Sequence, residues 1–356
     1  MHPIPYIGSG IKVTHTANSV EIRTSFKETW LKQVTRIQKG LPFIEVEYQV
    51  GPIPIDDGRG KEIVTKFATS ISNNATFYTD SNGREFLERR RDYRPSWPLK
   101  VYEQVAGNYY PVNAAIYIED QNASLAILVD RTQAGGSLVD GSVELMAQRR
   151  TLADDARGVA EPMNETDGGV TPYPPFGKAE RYGKGVVIRG KYRIMVGSGL
   201  SGASLARSQM DEAFSEPLMF VGSAPSHAEV PFQVHSFSVL QSSLPPNVML
   251  ITFKKLKNDE YMVRLGHQYS IGEDESLSAP VEVDLSLLLA GFQVKTAVEV
   301  TLTGNQKYNK WIKSRLDWTG SGMLPKSEVD DSNTKFLLKP MEIRTFIVKL
   351  QQDKLM

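Results

Sequence analysis

Apolar and polar residues alternate with a period of two along much of the chain. The alternation is clearest at residues 20–23 and 43–50, and short apolar runs such as residues 125–129 follow them. Successive side chains of a β-strand point to opposite faces of a sheet, so a period of two predicts strands with one face buried. Many of the runs are rich in Val, Ile, Tyr, Phe or Thr, which pack well on a pleated surface.

Turn-forming residues separate these runs. Gly51-Pro52, Asn82-Gly83 and Asp140-Gly141 are examples, and these residue types supply the backbone angles that tight turns need. Short strands punctuated in this way, with few long helical patterns between them, are typical of β-sandwiches. The chain is therefore predicted to be all-β.

Two sandwich regions are predicted, with a boundary near residue 240. Proline changes the local composition at residues 225–231 and again at Leu244-Pro245-Pro246, and composition shifts of this kind mark domain boundaries. We expect a large super-β-sandwich over residues 1–240 and a smaller C-terminal β-sandwich over residues 241–356.

One short helix is predicted at residues 204–214, where apolar residues fall near helical spacing. It follows Gly197-Ser198-Gly199-Leu200-Ser201-Gly202, which has the spacing of a glycine turn that binds a dinucleotide pyrophosphate. The next apolar run ends in Gly222-Ser223 rather than in an acidic residue that would hold a ribose. A flexible connection is therefore favoured over nucleotide binding.

Composition excludes several classes of protein. The 356 residues include 41 basic and 41 acidic side chains, so no net charge attracts nucleic acid or an anionic membrane, and neither partner is expected. Cys is absent, which excludes disulfides, thiolate metal sites and cysteine nucleophiles. No apolar run approaches the roughly 18–20 residues that span a bilayer, so a soluble protein is expected.

Candidate chemistry within the chain is sparse. The five His residues are scattered without metal-ligand spacing, and no G-x-S-x-G motif occurs. We therefore expect no metal site, cofactor or catalytic residue in this chain.

Asp154, Asp155 and Arg157 form a charged cluster that either orients sugar hydroxyls or makes a surface turn with ion pairs. The arginine-rich run at residues 89–97 is interpreted as the solvated edge of a strand.

Ordered motifs are spread from about residue 40 to the last predicted strand. They lie at residues 78–85, 105–113, 130–133, 136–138, 140–146, 149–159, 264–269, 277–281 and 340–346. Together they resemble the carboxy-terminal half of the lysosomal type of α-mannosidase, in glycoside hydrolase family 38.

The resemblance implies part of an enzyme that releases terminal α-linked mannose from N-glycans and mannosides with retention at the anomeric carbon. In that family the zinc ion and the nucleophile belong to an amino-terminal catalytic domain, which would be this chain's partner alongside mannose-containing glycans. The resemblance also implies a galactose mutarotase-like fold for the large sandwich and a lysosomal or equivalent acidic, secretory compartment. The isolated chain is expected to be inactive.

The same resemblance implies a role for the charged cluster. In similar enzymes the matching loop approaches the catalytic domain, so Arg157 is expected to reach the mannose-binding pocket, with Asp155 and Asp154 fixing it. The alternative is a stand-alone carbohydrate-binding or interaction sandwich without catalysis. Asn74, Asn122 and Asn164 lie in N-x-[ST] sequons and would carry glycans in a secretory compartment.

Overall fold

The computed structural model describes residue 6 and residues 8–154, 162–170, 183–222, 237–316 and 334–352. These residues form antiparallel sheets with two short α-helices, as the all-β prediction requires. The chain divides into two compact units, Met1–Glu216 and Pro217–Met356. No helix among the described residues has both the length and the apolar character needed to cross a membrane.

The described residues of the first unit form fifteen strands and one α-helix. They are β1 (Gly8–His15), β2 (Ser19–Phe26), β3 (Leu31–Gln38), β4 (Ile44–Val50), β5 (Lys61–Ala68), β6 (Thr76–Ser81), β7 (Glu85–Arg90), β8 (Tyr110–Val112), β9 (Ala115–Glu119), β10 (Ser124–Val129), β11 (Gln133–Gly136), β12 (Ser142–Arg150), β13 (Glu165–Thr166), β14 (Gly169–Val170), β15 (Ile188–Gly197) and α1 (Gly202–Phe214), with a 3-10 turn at Ala106–Asn108.

A nine-stranded sheet in the order β1-β2-β3-β4-β15-β10-β9-β6-β7 forms the centre of the first unit. A four-stranded sheet, β5-β12-β11-β8, packs on one face of its middle part. The core between the two sheets consists of aliphatic and aromatic side chains from both. It includes Val46, Tyr48, Phe77, Ile116, Ile118, Ile127, Val143, Leu145 and Tyr192.

Helix α1 covers the opposite face of the same strands. Its residues Ala203, Ala206 and Met210 pack on a second apolar layer. The helix approaches closely because Gly202 has no side chain, and a Cβ there would lie 2.3 Å from the Tyr117 ring. The first unit is therefore layered as sheet, sheet and helix.

The second unit has its own sheets and core. Its elements are β16 (Val248–Lys255), β17 (Glu260–His267), β18 (Val281–Asp284), a 3-10 turn at Leu285–Leu287, β19 (Phe292–Val300), α2 (Tyr308–Ser314), β20 (Lys335–Leu338) and β21 (Ile343–Gln352). The four-stranded sheet runs β16-β17-β21-β19, and β18 pairs with β20. Val239 and Leu240 pack against this core, so the residues at the predicted boundary belong to the second unit.

Two details differ from the expected single helix at residues 204–214. Helix α1 begins at Gly202 because the Ser201 hydroxyl accepts a hydrogen bond from the Ser204 amide at 3.1 Å and caps the first turn. A second α-helix, α2, was not expected. It has seven residues and none of them is buried, so it leaves no apolar period in the sequence.

Candidate functional site

The predicted sugar-orienting cluster follows strand β12. Asp154 is half-buried at the end of the described stretch 8–154. Asp155 and Arg157 lie outside the described residues, and their roles remain predictions. The structure does show how the described residues on either side of residues 155–161 are held. We refer to residues 150–154 and 162–164 together as the loop stem.

Arg150 is the central residue of the loop stem. Its side chain is 7% exposed, and its guanidinium donates from Nε to Asn164 Oδ1 at 2.7 Å and from Nη1 to the Ile53 carbonyl at 2.8 Å. Burial lowers the pKa of Arg150 from its ordinary value, against a raising influence of Asp56. One buried cation therefore joins both sides of the loop stem to the connection between β4 and β5.

Backbone contacts complete the loop stem. The Thr151 hydroxyl donates to the Pro162 carbonyl, and the Thr151 amide donates to the Met163 carbonyl at 3.4 Å. Leu152 is buried against Ile55. The described residues on either side of Arg157 are therefore tied to each other and to the sandwich.

A β-bulge explains why Arg150 points inward. Strand β12 pairs with β5, and the register shifts between Met146 and Gln148. An extra residue in one strand turns the following side chains to the opposite face. Arg150 is therefore buried, whereas Arg149 pairs with Glu62 at the surface at 3.4 Å. Uninterrupted alternation would assign the two arginines the other way round.

Asp80 organises a second polar centre, which sequence reasoning did not single out. Its side chain is 2% exposed. Oδ1 accepts hydrogen bonds from the amides of Asn113, Ala114 and Ala115 at 2.9, 2.7 and 2.9 Å, and Oδ2 accepts from the Gly83 amide at 2.7 Å. Its position before Asn82-Gly83, a turn signal, was the available clue. This carboxylate has a structural role, because its two oxygens already accept hydrogen bonds from four backbone amides.

The glycine motif at residues 197–202 does not form an anion site. The Gly202 amide at the start of α1 donates to Glu119 Oε2 at 2.8 Å, and Ser201 caps the helix. A nucleotide phosphate would have to displace a carboxylate of the same sign from the helix start. The close packing of Gly202 on Tyr117 explains the final glycine instead.

The arginine-rich run lies at the sheet edge, on and after β7. Its side chains are engaged within the protein. The Arg89 guanidinium lies 4.5 Å from the centre of the Tyr110 ring, and Arg94 lies 4.8 Å from it. Arg91 donates to Asp140 at 2.6 Å. These contacts hold the edge strand to its neighbours, which favours the structural interpretation over polyanion binding.

One of the histidines that the structure describes is buried. His267 is fully buried, and its Nε2 lies 2.9 Å from the Ala279 carbonyl, while the Tyr269 amide donates to Nδ1 at 3.2 Å. It is a hydrogen-bonded core residue of the second unit. Among the described residues, no group of three or more His, Asp or Glu side chains could hold a metal ion.

The three sequons differ in accessibility. Asn74 and Asn122 are exposed. Asn164 is 1% exposed and accepts the Arg150 hydrogen bond. A glycan on Asn164 does not fit this arrangement, because it would need the side chain to leave the loop stem. The expectation of a glycan at that position is therefore not supported by the folded structure.

Comparison with known proteins identifies the class of this chain. Residues 8–157 match the glycosyl hydrolases family 38 C-terminal domain, and residues 247–346 match the glycosyl hydrolases family 38 C-terminal beta sandwich domain. The chain belongs to glycosyl hydrolase family 38 and is a C-terminal part of such a protein.

The curated relatives are α-mannosidases. Lysosomal alpha-mannosidase of Felis catus is 42% identical over 341 residues, covering 94% of this chain and 32% of the relative. The protein of the same name from Homo sapiens is 40% identical over 340 residues, covering 93% and 32%. Alpha-mannosidase of Canavalia ensiformis is 36% identical over 357 residues, covering 98% and 36%. The chain thus spans about a third of the length of these relatives.

A solved structure supports the fold. The crystal structure of an alpha-mannosidase from Enterococcus faecalis V583 aligns with a TM-score of 0.59 at 12% identity, covering 95% of this chain and 35% of that chain. At this identity the likeness concerns the fold alone.

Proposed function

We propose that this chain is the C-terminal portion of an α-mannosidase that removes terminal α-linked mannose from N-glycans and mannosides with retention of configuration. The observation that supports it most is the extent of the likeness, 42% identity over 94% of the chain, to a lysosomal α-mannosidase. In this proposal the chain supports the active-site cleft, and the preceding part of the protein supplies the nucleophile.

The contribution of this chain is the loop that follows β12. Arg157 donates hydrogen bonds to mannose hydroxyls, because a guanidinium carries several N–H groups in a fixed fork. Asp154 and Asp155 hold that guanidinium in place. Preorganised donors of this kind help only when their base is rigid. The buried Arg150–Asn164 contact at 2.7 Å provides such a base. Arg150 is thus a positioning residue that does not touch the substrate.

Zinc, which the family resemblance implies, is assigned to the preceding part of the protein. The described residues contain no group of side chains that fits a metal ion.

The proposed compartment is the lysosome or an equivalent acidic one, as in the lysosomal relatives. One surface turn keeps its ionised carboxylate in mild acid. Hydrogen bonds from the Ser72, Asn122 and Ala123 amides hold the pKa of Asp120 below its ordinary value. Asp120 therefore stays ionised in mild acid and keeps the turn that carries the exposed Asn122 sequon.

The experiment is a kinetic comparison in the full-length enzyme with a chromogenic α-mannoside. Arg157→Ala is expected to lower kcat/KM by roughly a hundredfold, the effect of removing one preorganised donor, with the melting temperature nearly unchanged. Arg149→Ala is the matched control, because Arg149 makes a surface ion pair in which both side chains are more than two-fifths exposed. Unaltered kinetics in Arg157→Ala would remove Arg157 from the site.

A further inference from the structure

The segment that follows β7 is a closed loop at the edge of the nine-stranded sheet. We call residues 91–108 the aromatic loop. Asn108 closes it. This side chain is fully buried, its Oδ1 accepts from the Asp92 amide at 2.8 Å, and its Nδ2 donates to Asp92 Oδ1 at 2.8 Å and to the Gln104 carbonyl at 2.9 Å. Reciprocal hydrogen bonds at a buried residue fix both ends of the loop.

Further contacts hold the interior of the aromatic loop. Arg94 donates from Nη2 to the Gly107 carbonyl at 3.0 Å, and the Gly107 amide donates to the Glu103 carbonyl at 2.8 Å. Val101 packs directly on Gly107, where a Cβ would lie 2.9 Å from Val101 Cγ1. The loop is therefore tied across its middle as well as at its base, so that little conformational entropy is lost when a ligand binds to it.

Three aromatic side chains of this fixed loop are exposed in this chain. Tyr93 is 50% exposed, Trp97 54% and Tyr102 80%. Trp97 is the one exposed tryptophan among the residues that the structure describes. Burial of a large ring is strongly favourable, so rings held open to water on a rigid loop mark a binding surface more often than they mark free surface.

Cations lie beside two of these rings. The Arg90 guanidinium lies 5.4 Å from the centre of the Tyr93 ring, and the Lys100 ammonium lies 5.0 Å from the centre of the Tyr102 ring. Such cations are attracted to the electron-rich ring face and carry several N–H donors. Each of the two tyrosines therefore combines an apolar ring surface with hydrogen-bond donors next to it.

We propose that the aromatic loop binds the oligosaccharide of the substrate, with Trp97 and Tyr102 stacking on sugar rings and Lys100 donating hydrogen bonds to sugar hydroxyls. This rests on the proposed function, which makes a neutral mannose oligosaccharide the ligand class. One side of a hexopyranose ring presents C–H groups, which pack on the electron-rich face of an aromatic ring. The hydroxyls of the same sugar accept hydrogen bonds from ammonium N–H groups.

The surroundings of the rings favour a sugar over a protein surface. A protein interface places its aromatic anchors at the centre of an apolar patch that water does not reach. The exposed side chains beside Trp97 and Tyr102 are mostly polar or proline, and they include Ser96, Lys100 and Glu103. An oligosaccharide needs both stacking surfaces and polar partners, so the aromatic loop matches it more closely.

The test compares a large and a small substrate in the full-length enzyme. Trp97→Ala and Tyr102→Ala are assayed with an oligomannose N-glycan released from glycoprotein and with a chromogenic α-mannoside, which carries a single mannose. Each variant should raise KM for the N-glycan at least about fivefold, the effect of truncating an anchor residue at a binding surface. KM for the chromogenic mannoside should stay unchanged, because a single sugar in the cleft does not extend to the aromatic loop.

Two control variants separate binding from folding. Phe214→Ala is the matched control, because Phe214 at the end of α1 is 50% exposed and lies outside the aromatic loop; it should change neither KM. Trp97→Phe keeps an aromatic ring and should retain most of the affinity for the N-glycan. The melting temperature of each variant should match that of the parent, since the replaced side chains are exposed.

An unchanged KM for the N-glycan in both alanine variants would overturn the proposal. A rise that occurs only while the glycan is attached to its glycoprotein would also overturn it, since it would assign the loop to a polypeptide partner. Equal rises for both substrates would do the same, because they would show a disturbed cleft. A parent enzyme that hydrolyses neither substrate would remove the proposed function; calorimetry with the N-glycan then tests the loop, and equal binding by the parent and both alanine variants would overturn it.

Discussion

A buried ion pair in the second unit gives a quantitative prediction about what holds that unit together. Arg344 on β21 donates from Nε to Glu299 on β19 at 2.8 Å, and the two side chains are 7% and 5% exposed. The guanidinium also lies 4.6 Å from the Phe336 ring centre and 5.5 Å from that of Phe346. Removing one partner leaves a buried charge without its counterion, which costs about 3–5 kcal/mol.

Two single variants and their combination test this reasoning. Arg344→Met and Glu299→Leu should each destabilise the second unit by about 3–5 kcal/mol. The double variant should return to within about 1–2 kcal/mol of the parent, because a well-packed apolar pair replaces the ions. Lys335→Met is the control, since the Lys335–Asp284 contact is 3.8 Å long and Lys335 is 60% exposed. It should cost less than about 1 kcal/mol.

The assay is urea unfolding monitored by hydrogen exchange. Exchange is read on peptides from β19 and β21, because these peptides report on the second unit alone. Additive losses in the double variant would refute the reasoning, because they would show that each side chain stabilises the unit through separate contacts. A loss in Lys335→Met equal to that in Arg344→Met would refute it as well.

Two further predictions concern carboxylates of the first unit. Asp80→Ala leaves four backbone amides, two of them buried, without their acceptor and should lower the free energy of unfolding by at least about 3 kcal/mol in urea titration; a loss below about 1 kcal/mol would contradict the assigned role. Hydrogen bonds from the Ala75 amide and from Arg91 hold the pKa of Asp140 below its ordinary value, so its stabilising effect is present above the unfolded pKa of about 4 and disappears as the pH falls through the lower folded value. The difference in urea midpoint between the parent and Asp140→Asn should therefore shrink below about pH 4, and a difference that grew with acid would reverse the sign of this linkage.

Most of the fold could be predicted from the alternation of apolar and polar residues, because a strand with one buried face places an apolar side chain at every second position. Residues 43–50, for example, alternate visibly, and Val46, Tyr48 and Val50 are buried in β4. The sequence pattern did not predict the second helix, because α2 buries none of its residues and therefore shows no apolar period. Helix α1 began earlier than predicted because its start depends on the Ser201 cap and on the fit of Gly202 against Tyr117, which are tertiary features.

The site was less accessible to sequence reasoning. The inward turn of Arg150 depends on the bulge between Met146 and Gln148, which alternation does not reveal. Burial of Asn164 likewise follows from its bond to Arg150, so a sequon pattern alone could not exclude it. Local motifs thus led to the prediction at Asp154, Asp155 and Arg157, which stays a prediction, and gave no sign that Arg150 beside them is buried.

The most direct test of the account compares mannose release by this chain with release by the full-length protein that contains it, each purified to the same standard. The account predicts hydrolysis of an α-mannoside by the full-length protein and none by the chain alone. Hydrolysis by the isolated chain, or a correctly folded full-length protein that releases no mannose, would contradict it.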